Sequence, residues 1–374
     1  MIYRQFKDLD LSLLGFGTMR LPKKGDEVDV EQVDEMVKYA LNHGINYFDT
    51  AYPYHEGKSE IVIGKALSKY PRESFYLADK FPGHQHIENL NPQELFEEQL
   101  EKCGVDYFDF YLLHNVSENS IDTFLDPNLN IIPYLISERK KGRIKHLGFS
   151  THARLDLLEK FLDEWGDEME FCQIQFNYLD YSLQFAKEKY ELITKHNIPV
   201  WVMEPLRGGA LKNQSEAFRW IERFDNIHMV LSGMSNLDQM RENVAIFHAE
   251  DPLSDLDTNG LKLIVNDMVD MVPCTSCHYC DGCPMGLNIP MFMGLLSEAR
   301  YSSPISITMA IEALSEDKRP GACIKCGACT EKCPQKIDIP KMMEELNERW
   351  QKMPKWADIC REREEARKKL QKEK

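Results

Sequence analysis

Four side chains that together could carry a proton to a carbonyl oxygen recur at the ends of three successive strand-like segments. The run from Asn46 to Lys58 sets Asp49 and Tyr54 five residues apart. Ile45 to Phe48 reads as a short buried strand, Thr50 to Gly57 as loop and Ser59 to Leu67 as helix, so Asp49 closes the strand and Tyr54 lies just beyond it. The segment Phe75 to Phe81 carries Lys80 near its end, and the segment beginning at Phe108 ends on His114. Hydride delivered to a carbonyl carbon leaves charge on the oxygen, and a phenol with a pKa of about 10 is a slow donor unless an ammonium favours its phenolate. In that chemistry Tyr54 gives the proton, Lys80 lowers its pKa, Asp49 holds the ammonium and His114 orients the carbonyl. Each residue alone has a plainer reading: a strand-ending acid, a loop tyrosine, an exposed lysine, a half-buried histidine. Their recurrence at three consecutive strand ends favours chemistry.

The elements that would position them alternate. Helix Glu31 to Asn42 precedes the strand at Ile45, Pro92 to Cys103 precedes Phe108, and Ile131 to Lys141 precedes Ile144. Helix Leu155 to Trp165, strand Phe171 to Phe176, helix Phe185 to His196 and strand Ile198 to Met203 follow. Strand His228 to Leu231 and helix Leu237 to Phe247 complete eight strand–helix units by about residue 248. Alternation of this kind predicts a parallel sheet, and eight units predict a (β/α)8 TIM barrel whose carboxyl-terminal strand ends hold the active site. Gly15-Phe-Gly17 lacks the third glycine of a dinucleotide fingerprint and has no helix directly after it, so it argues for no doubly wound domain.

In this order Asp49, Tyr54, Lys80 and His114 resemble the tetrad of the aldo-keto reductases. The resemblance implies a nicotinamide cofactor, NADP or NAD, held by the later strand ends and by a helix amino terminus. Gly148-Phe-Ser-Thr151, Gln173-Ile-Gln-Phe-Asn177 and Glu204-Pro-Leu-Arg-Gly-Gly209 are similar to segments that touch the nicotinamide and the pyrophosphate, which carries over Ser150, Gln173, Leu206 and Gly208. Ser232 to Asn243 resembles the segment around the adenosine, which carries over Gly233, Met234, Asn236, Gln239 and Asn243. A plain helix cap at Asn236 accounts for part of that run equally well. Two departures stand out: Gly233 and Gln239 occupy positions where many relatives carry Lys and Arg for the 2′-phosphate of NADPH, and Met203 stands where an aromatic ring usually stacks on the nicotinamide. A flavin such as FMN could use the same floor. Thr18 to Leu21, at the first strand end, are pocket-lining candidates.

At 374 residues the chain exceeds one barrel of about 250, leaving room for a second unit. With 43% hydrophobic and 28% charged residues and no apolar run long enough to span a bilayer, it reads as a globular, cytoplasmic protein. The first residues do not resemble a signal peptide. A net charge of -16 argues against nucleic acid or anionic membrane as a partner.

Eight of the 11 cysteines form two tight blocks: Cys274, Cys277, Cys280 and Cys283, then Cys323, Cys326, Cys329 and Cys333. Each block ends in Cys-Pro, and each is followed at equal offsets by Ile-Pro and Met, which is an internal repeat. Four thiolates at such spacing bind zinc or a [4Fe-4S] cluster, and the Cys-Pro endings favour iron–sulfur. The second block matches the bacterial ferredoxin pattern, whose fourth cysteine ligates the other cluster. By that rule one cluster takes Cys274, Cys277, Cys280 and Cys333, and the other takes Cys323, Cys326, Cys329 and Cys283. Cys103, Cys172 and Cys360 are scattered and read as structural or surface thiols with no role.

The organisation expected is a barrel over 1–248, a linker over 249–272, a mainly helical ferredoxin-like domain with two [4Fe-4S] clusters over 273–345, and a charged, solvated helical tail over 346–374. Together the two resemblances imply the iron–sulfur branch of the aldo-keto reductases: an oxidoreductase acting on a small carbonyl or activated double bond, with a ferredoxin or another electron donor as a possible partner. A different class stays open at this point, an electron-transfer or redox-sensing module that binds nucleotide and does little chemistry.

Overall fold

A computed structural model of the chain describes residues 1–372 except 84, 86, 119, 184, 210, 250, 251, 255, 256, 262–271, 273, 275–279, 302, 303 and 334–336. Twelve strands are found among them: β1 (Tyr3–Phe6), β2 (Leu9–Ser12), β3 (Leu14–Gly17), β4 (Lys23–Lys24), β5 (Glu27–Val28), β6 (Tyr47–Asp49), β7 (Tyr76–Phe81), β8 (Phe108–Val116), β9 (Ile144–Thr151), β10 (Cys172–Gln175), β11 (Val200–Met203) and β12 (Ile227–Gly233). β3 and β6 to β12 close into one barrel, each strand parallel to its neighbours, which is the expected (β/α)8 architecture. The antiparallel pair β1–β2 supplies Phe6 and Leu11 to the barrel's buried interior, where Phe6 meets Trp201 edge-on with centroids 5.1 Å apart.

Helices form where their end signals are strongest. Asn91 caps Pro92–Cys103 by accepting from the backbone N–H of Gln93 at 3.1 Å, Pro92 occupies the first turn, and Gly104 ends the helix at φ 65. This helix packs against Ser59–Leu67 at Gly64, where an added Cβ would lie 2.3 Å from the Cys103 carbonyl oxygen. Because that neighbour is main chain and cannot swing aside, Gly64→Ala is expected to cost about 1–3 kcal/mol, read as a lower urea midpoint at unchanged slope.

Two compact units divide the chain. The first comprises 1–177, 187–253 and 361–374; the second comprises 178–186 and 254–360. Within residues 254–360 the described elements are helical, including Ile289–Tyr301, Pro304–Glu312, Ala328–Lys332 and Ile339–Gln351. The sequence repeat appears as two helices of 13 residues, each beginning at Ile-Pro. Phe292, Leu296, Ile307, Ile311, Met343 and Leu346 form the unit's core.

The expected boundary at 345/346 requires correction. Helix Ile339–Gln351 runs through it, and Leu346 and Trp350 are buried in the second unit's core rather than solvated. The chain then breaks near Pro354, and a further helix covers Trp356–Lys372. A short hairpin, β4–β5, turns at Gly25 (φ 67) and was not expected. Among the described residues no helix is long and apolar enough to cross a membrane.

Candidate functional site

Strand alternation decides which side chains enter the barrel. Tyr47, Ala78, Phe110, Leu112, Phe171, Trp201, Met229 and Leu231 form one buried interior cluster. Side chains two residues apart share a face, so that parity carries Asp49 on β6, Lys80 on β7, His114 on β8, Gln173 on β10, Met203 on β11 and Gly233 on β12 toward the interior as well. On β9 a Cβ at Gly148 would strike the Phe171 ring, which gives Ser150 the same parity. All but Gln173, which is second of four residues in β10 and in register with Trp201, lie toward the carboxyl ends of their strands.

At that end Lys80 Nζ donates to Asp49 Oδ1 at 2.5 Å and to the Thr50 carbonyl at 2.6 Å. Lysine and carboxylate are 1% and 4% exposed at their side chains. The Lys80 ammonium also stands 5.0 Å from the centre of the Tyr54 ring, and the Tyr54 and His114 rings meet edge-to-face at 5.9 Å. The four residues expected from sequence are therefore brought together.

Their electrostatics correct one expectation. Burial of the Tyr54 hydroxyl raises its pKa; Lys80 pulls it down, Asp49 and Glu204 push it up, and the net direction is above the usual phenol value. Desolvation wins over the lysine, so Tyr54 is held as the neutral phenol, the form a proton donor needs. Burial opposes the charge on Lys80, yet the Asp49 carboxylate and Tyr54 outweigh it, and the lysine is raised and stays cationic. Asp49 is itself raised, chiefly by burial and against the pull of Lys80.

The later strand ends carry the other candidates. Ser150 pairs in register with Gln173 across β9–β10, and its Oγ accepts from the Asn115 N–H at 2.8 Å. Met203 ends β11, and Leu206 and Gly208 lie in the turn that follows. Gly233 ends β12, where an added Cβ would stand 3.1 Å from Arg20 Cδ, while Arg20 itself pairs with Glu204 at 3.0 Å. Met234 is buried just after it. Asn236 is the cap of Leu237–His248, accepting from the Gln239 N–H at 2.9 Å, and Gln239 Oε1 accepts from the Ser235 N–H at 2.8 Å. Asn243 donates to Ser232 Oγ at 2.9 Å and accepts from Gln214. These three side chains thus shape the loop from within. Sequence reasoning missed the Thr50 carbonyl, the Asn115 amide and the Arg20–Glu204 pair, none of which has a signature in residue type or spacing.

In the second unit Cys283, Cys323, Cys326 and Cys329 line one small cavity. Ile289, Ile324, Ile339 and Met343 complete its apolar wall. Cys283 is 40 residues before Cys323 in the chain, yet it lines the same cavity. Cys333 is buried in the unit's core, against which Cys274, Cys280, Cys283, Cys323 and Cys329 all pack, and Cys277 lies outside the described residues. Cysteine thiols lining one apolar cavity are the donor type that iron–sulfur clusters take.

A parallel barrel with an ammonium, a carboxylate, a phenol and an imidazole at its mouth, joined to a helical unit that gathers cysteines, is the build of an oxidoreductase with an iron–sulfur module. Residues 13–218 match the aldo/keto reductase family and residues 273–338 match the 4Fe-4S dicluster domain. The chain belongs to the aldo-keto reductase family, is an oxidoreductase, and carries a 4Fe-4S dicluster domain. It is 26% identical over 319 residues to the NADH-specific methylglyoxal reductase of Escherichia coli (strain K12), covering 68% of this chain and 95% of that protein. With L-galactose dehydrogenase of Arabidopsis thaliana it shares 26% over 275 residues, 63% of this chain and 84% of that one. The holo form of an aldo-keto reductase from Bacillus halodurans aligns at TM-score 0.59 and 25% identity, over 71% of this chain and 96% of that one. A Klebsiella pneumoniae aldo-keto reductase in complex with NADPH has the same fold, at TM-score 0.57 and 18% identity over 71% and 96% of the two chains.

Proposed function

We propose that the chain reduces a small aldehyde or ketone with NADH, that Tyr54 gives the proton, and that two [4Fe-4S] clusters occupy the second unit. The observation that carries the barrel reading is the buried Lys80–Asp49 pair, whose ammonium stands 5.0 Å from the Tyr54 ring centre. The nicotinamide, when bound, supplies hydride to the carbonyl carbon. Tyr54 protonates the oxygen as charge develops there, Lys80 stabilises the phenolate left behind, Asp49 fixes Lys80, and His114 orients the carbonyl. Ser150 and Gln173 offer the hydroxyl and the amide that hold the nicotinamide's own amide, with Met203 as the apolar surface beside them. Leu206, Gly208, Gly233 and Met234 border the rest of the nucleotide, and Asn236, Gln239 and Asn243 hold the loop around it.

NADH is preferred to NADPH on this reading because no cation at position 233 or 239 awaits a 2′-phosphate, and Arg20, which stands over Gly233, is already paired with Glu204. The E. coli relative's NADH specificity and its methylglyoxal substrate point the same way and choose the first assay. A charge-assisted contact contributes about 1.5–3 kcal/mol, so kcat/KM is expected to favour NADH by roughly 10- to 100-fold with methylglyoxal or the best of a panel of small carbonyls. A preference for NADPH would reverse the assignment, and no turnover of any carbonyl would remove the reductase reading.

In the second unit Cys283, Cys323, Cys326 and Cys329 hold one cluster, and Cys274, Cys277, Cys280 and Cys333 the other. Such clusters exchange single electrons, so a ferredoxin or a comparable one-electron carrier is the partner class they would serve.

A further inference from the structure

Tyr54 opens a turn whose backbone is strained. His55 (φ 50, ψ 44) and Glu56 (φ 58, ψ 33), the two residues after it, both adopt the left-handed conformation, and Gly57 follows at φ 86. Two successive residues bearing a Cβ in that region are costly, and such strain persists only where surrounding contacts over-determine it. Here the contact is the His55 ring. Its Nε2 accepts from the Leu21 N–H at 3.1 Å, and the carbonyls of Thr18 and Met19 face the same imidazole. His55 thereby ties the turn after β6 to the turn after β3, two segments that border the barrel mouth on adjacent strands.

We propose that His55 is a positioning residue for Tyr54: as a neutral imidazole accepting from Leu21, it locks the left-handed turn that aims the phenol at Lys80 and His114. The inference rests on the reading of Tyr54 as proton donor. Protonation of Nε2 replaces the accepted hydrogen bond with two opposed N–H groups, so the clasp exists only above the imidazole pKa. Burial lowers that pKa first and Lys23 lowers it further, against the carbonyls of Thr18 and Met19 and the carboxylate of Glu56. With the histidine pKa depressed, the clasp is intact at neutral pH and is lost as pH falls through a value below that of free histidine.

The test compares His55→Phe, His55→Gln and His55→Asn in the full-length holoprotein, with NADH and the best carbonyl substrate. A glutamine amide oxygen reaches the position of Nε2, whereas the shorter asparagine reaches only that of Nδ1. His55→Phe and His55→Asn are expected to lose about 10- to 100-fold in kcat, the scale of a misplacement near 1 Å, with KM for NADH unchanged. His55→Gln is expected to recover most of the loss and to abolish the acid limb of the wild-type kcat profile. Wild-type kcat in His55→Phe would overturn the proposal, as would equal loss in all three variants with unaltered melting temperatures. A parallel Tyr54→Phe measurement separates the two readings: if that variant is disabled while His55→Phe is not, only the clasp fails, and if it turns over normally, the donor assignment fails first.

Discussion

Tyr54→Phe is expected to lower carbonyl reduction by about a thousandfold, within the roughly 10²–10⁴ contributed by a positioned acid, while NADH still binds with wild-type affinity. The substitution removes one hydroxyl from a buried site and leaves the Lys80–Asp49 pair, with its 2.5 Å contact, in place. The direction of the Tyr54 pKa sharpens the expectation. Because burial and the carboxylates of Asp49 and Glu204 outweigh Lys80, the phenol keeps its proton through neutral pH and past the point where a free tyrosine would lose it. The donor form is therefore present at low and neutral pH and disappears only as pH rises through the elevated value. No alkaline decline in kcat should be attributable to Tyr54 near neutrality. Stopped-flow turnover and NADH fluorescence titration of the variant check both halves. Turnover close to wild type would mean that the proton comes from elsewhere, with the His114 imidazole the next group to test.

How much of this could be read from the chain depends on which contacts are local. The barrel was legible because short apolar runs recur between helices with clear end signals, such as Asn91-Pro92 at one end and Gly104 at the other. The convergence of Asp49, Lys80 and His114 follows from parity along three adjacent strands. The sign of the Tyr54 pKa does not, since it turns on the depth to which a loop residue is buried, and no spacing rule reports that. The contact of His55 with Leu21 spans 34 residues, so it too was invisible before the two strand ends were brought side by side. The misread boundary near 345 has a different cause. Helix Ile339–Gln351 carries Lys341, Glu344, Glu345, Glu348 and Arg349 around a narrow stripe of Met343, Leu346 and Trp350, and the charges dominate a reading by composition. A reading by period three to four would have found the stripe.

The second large effect concerns which cysteines share a cluster. Iron analysis of the holoprotein is expected to give about eight iron and eight acid-labile sulfide per chain, the content of two cubane clusters. Cys283 belongs by sequence to the first block, yet it lines the cavity formed with Cys323, Cys326 and Cys329. If these four thiols hold one cluster, Cys283→Ala and Cys326→Ala remove the same iron, and each single variant keeps about four atoms. The double variant then keeps about four as well, because two losses at one site cannot add. Were the blocks to bind separately, the singles would each lose half and the double would lose nearly everything. Stability should follow the same pattern. Cluster binding is coupled to folding of a small unit whose core, from Phe292 to Trp350, packs against most of the cysteines, so the double variant should melt no lower than the weaker single. Stoichiometric zinc without sulfide would replace both clusters with structural metal. Additive loss of iron would return Cys283 to its own block and leave the cavity without its fourth ligand.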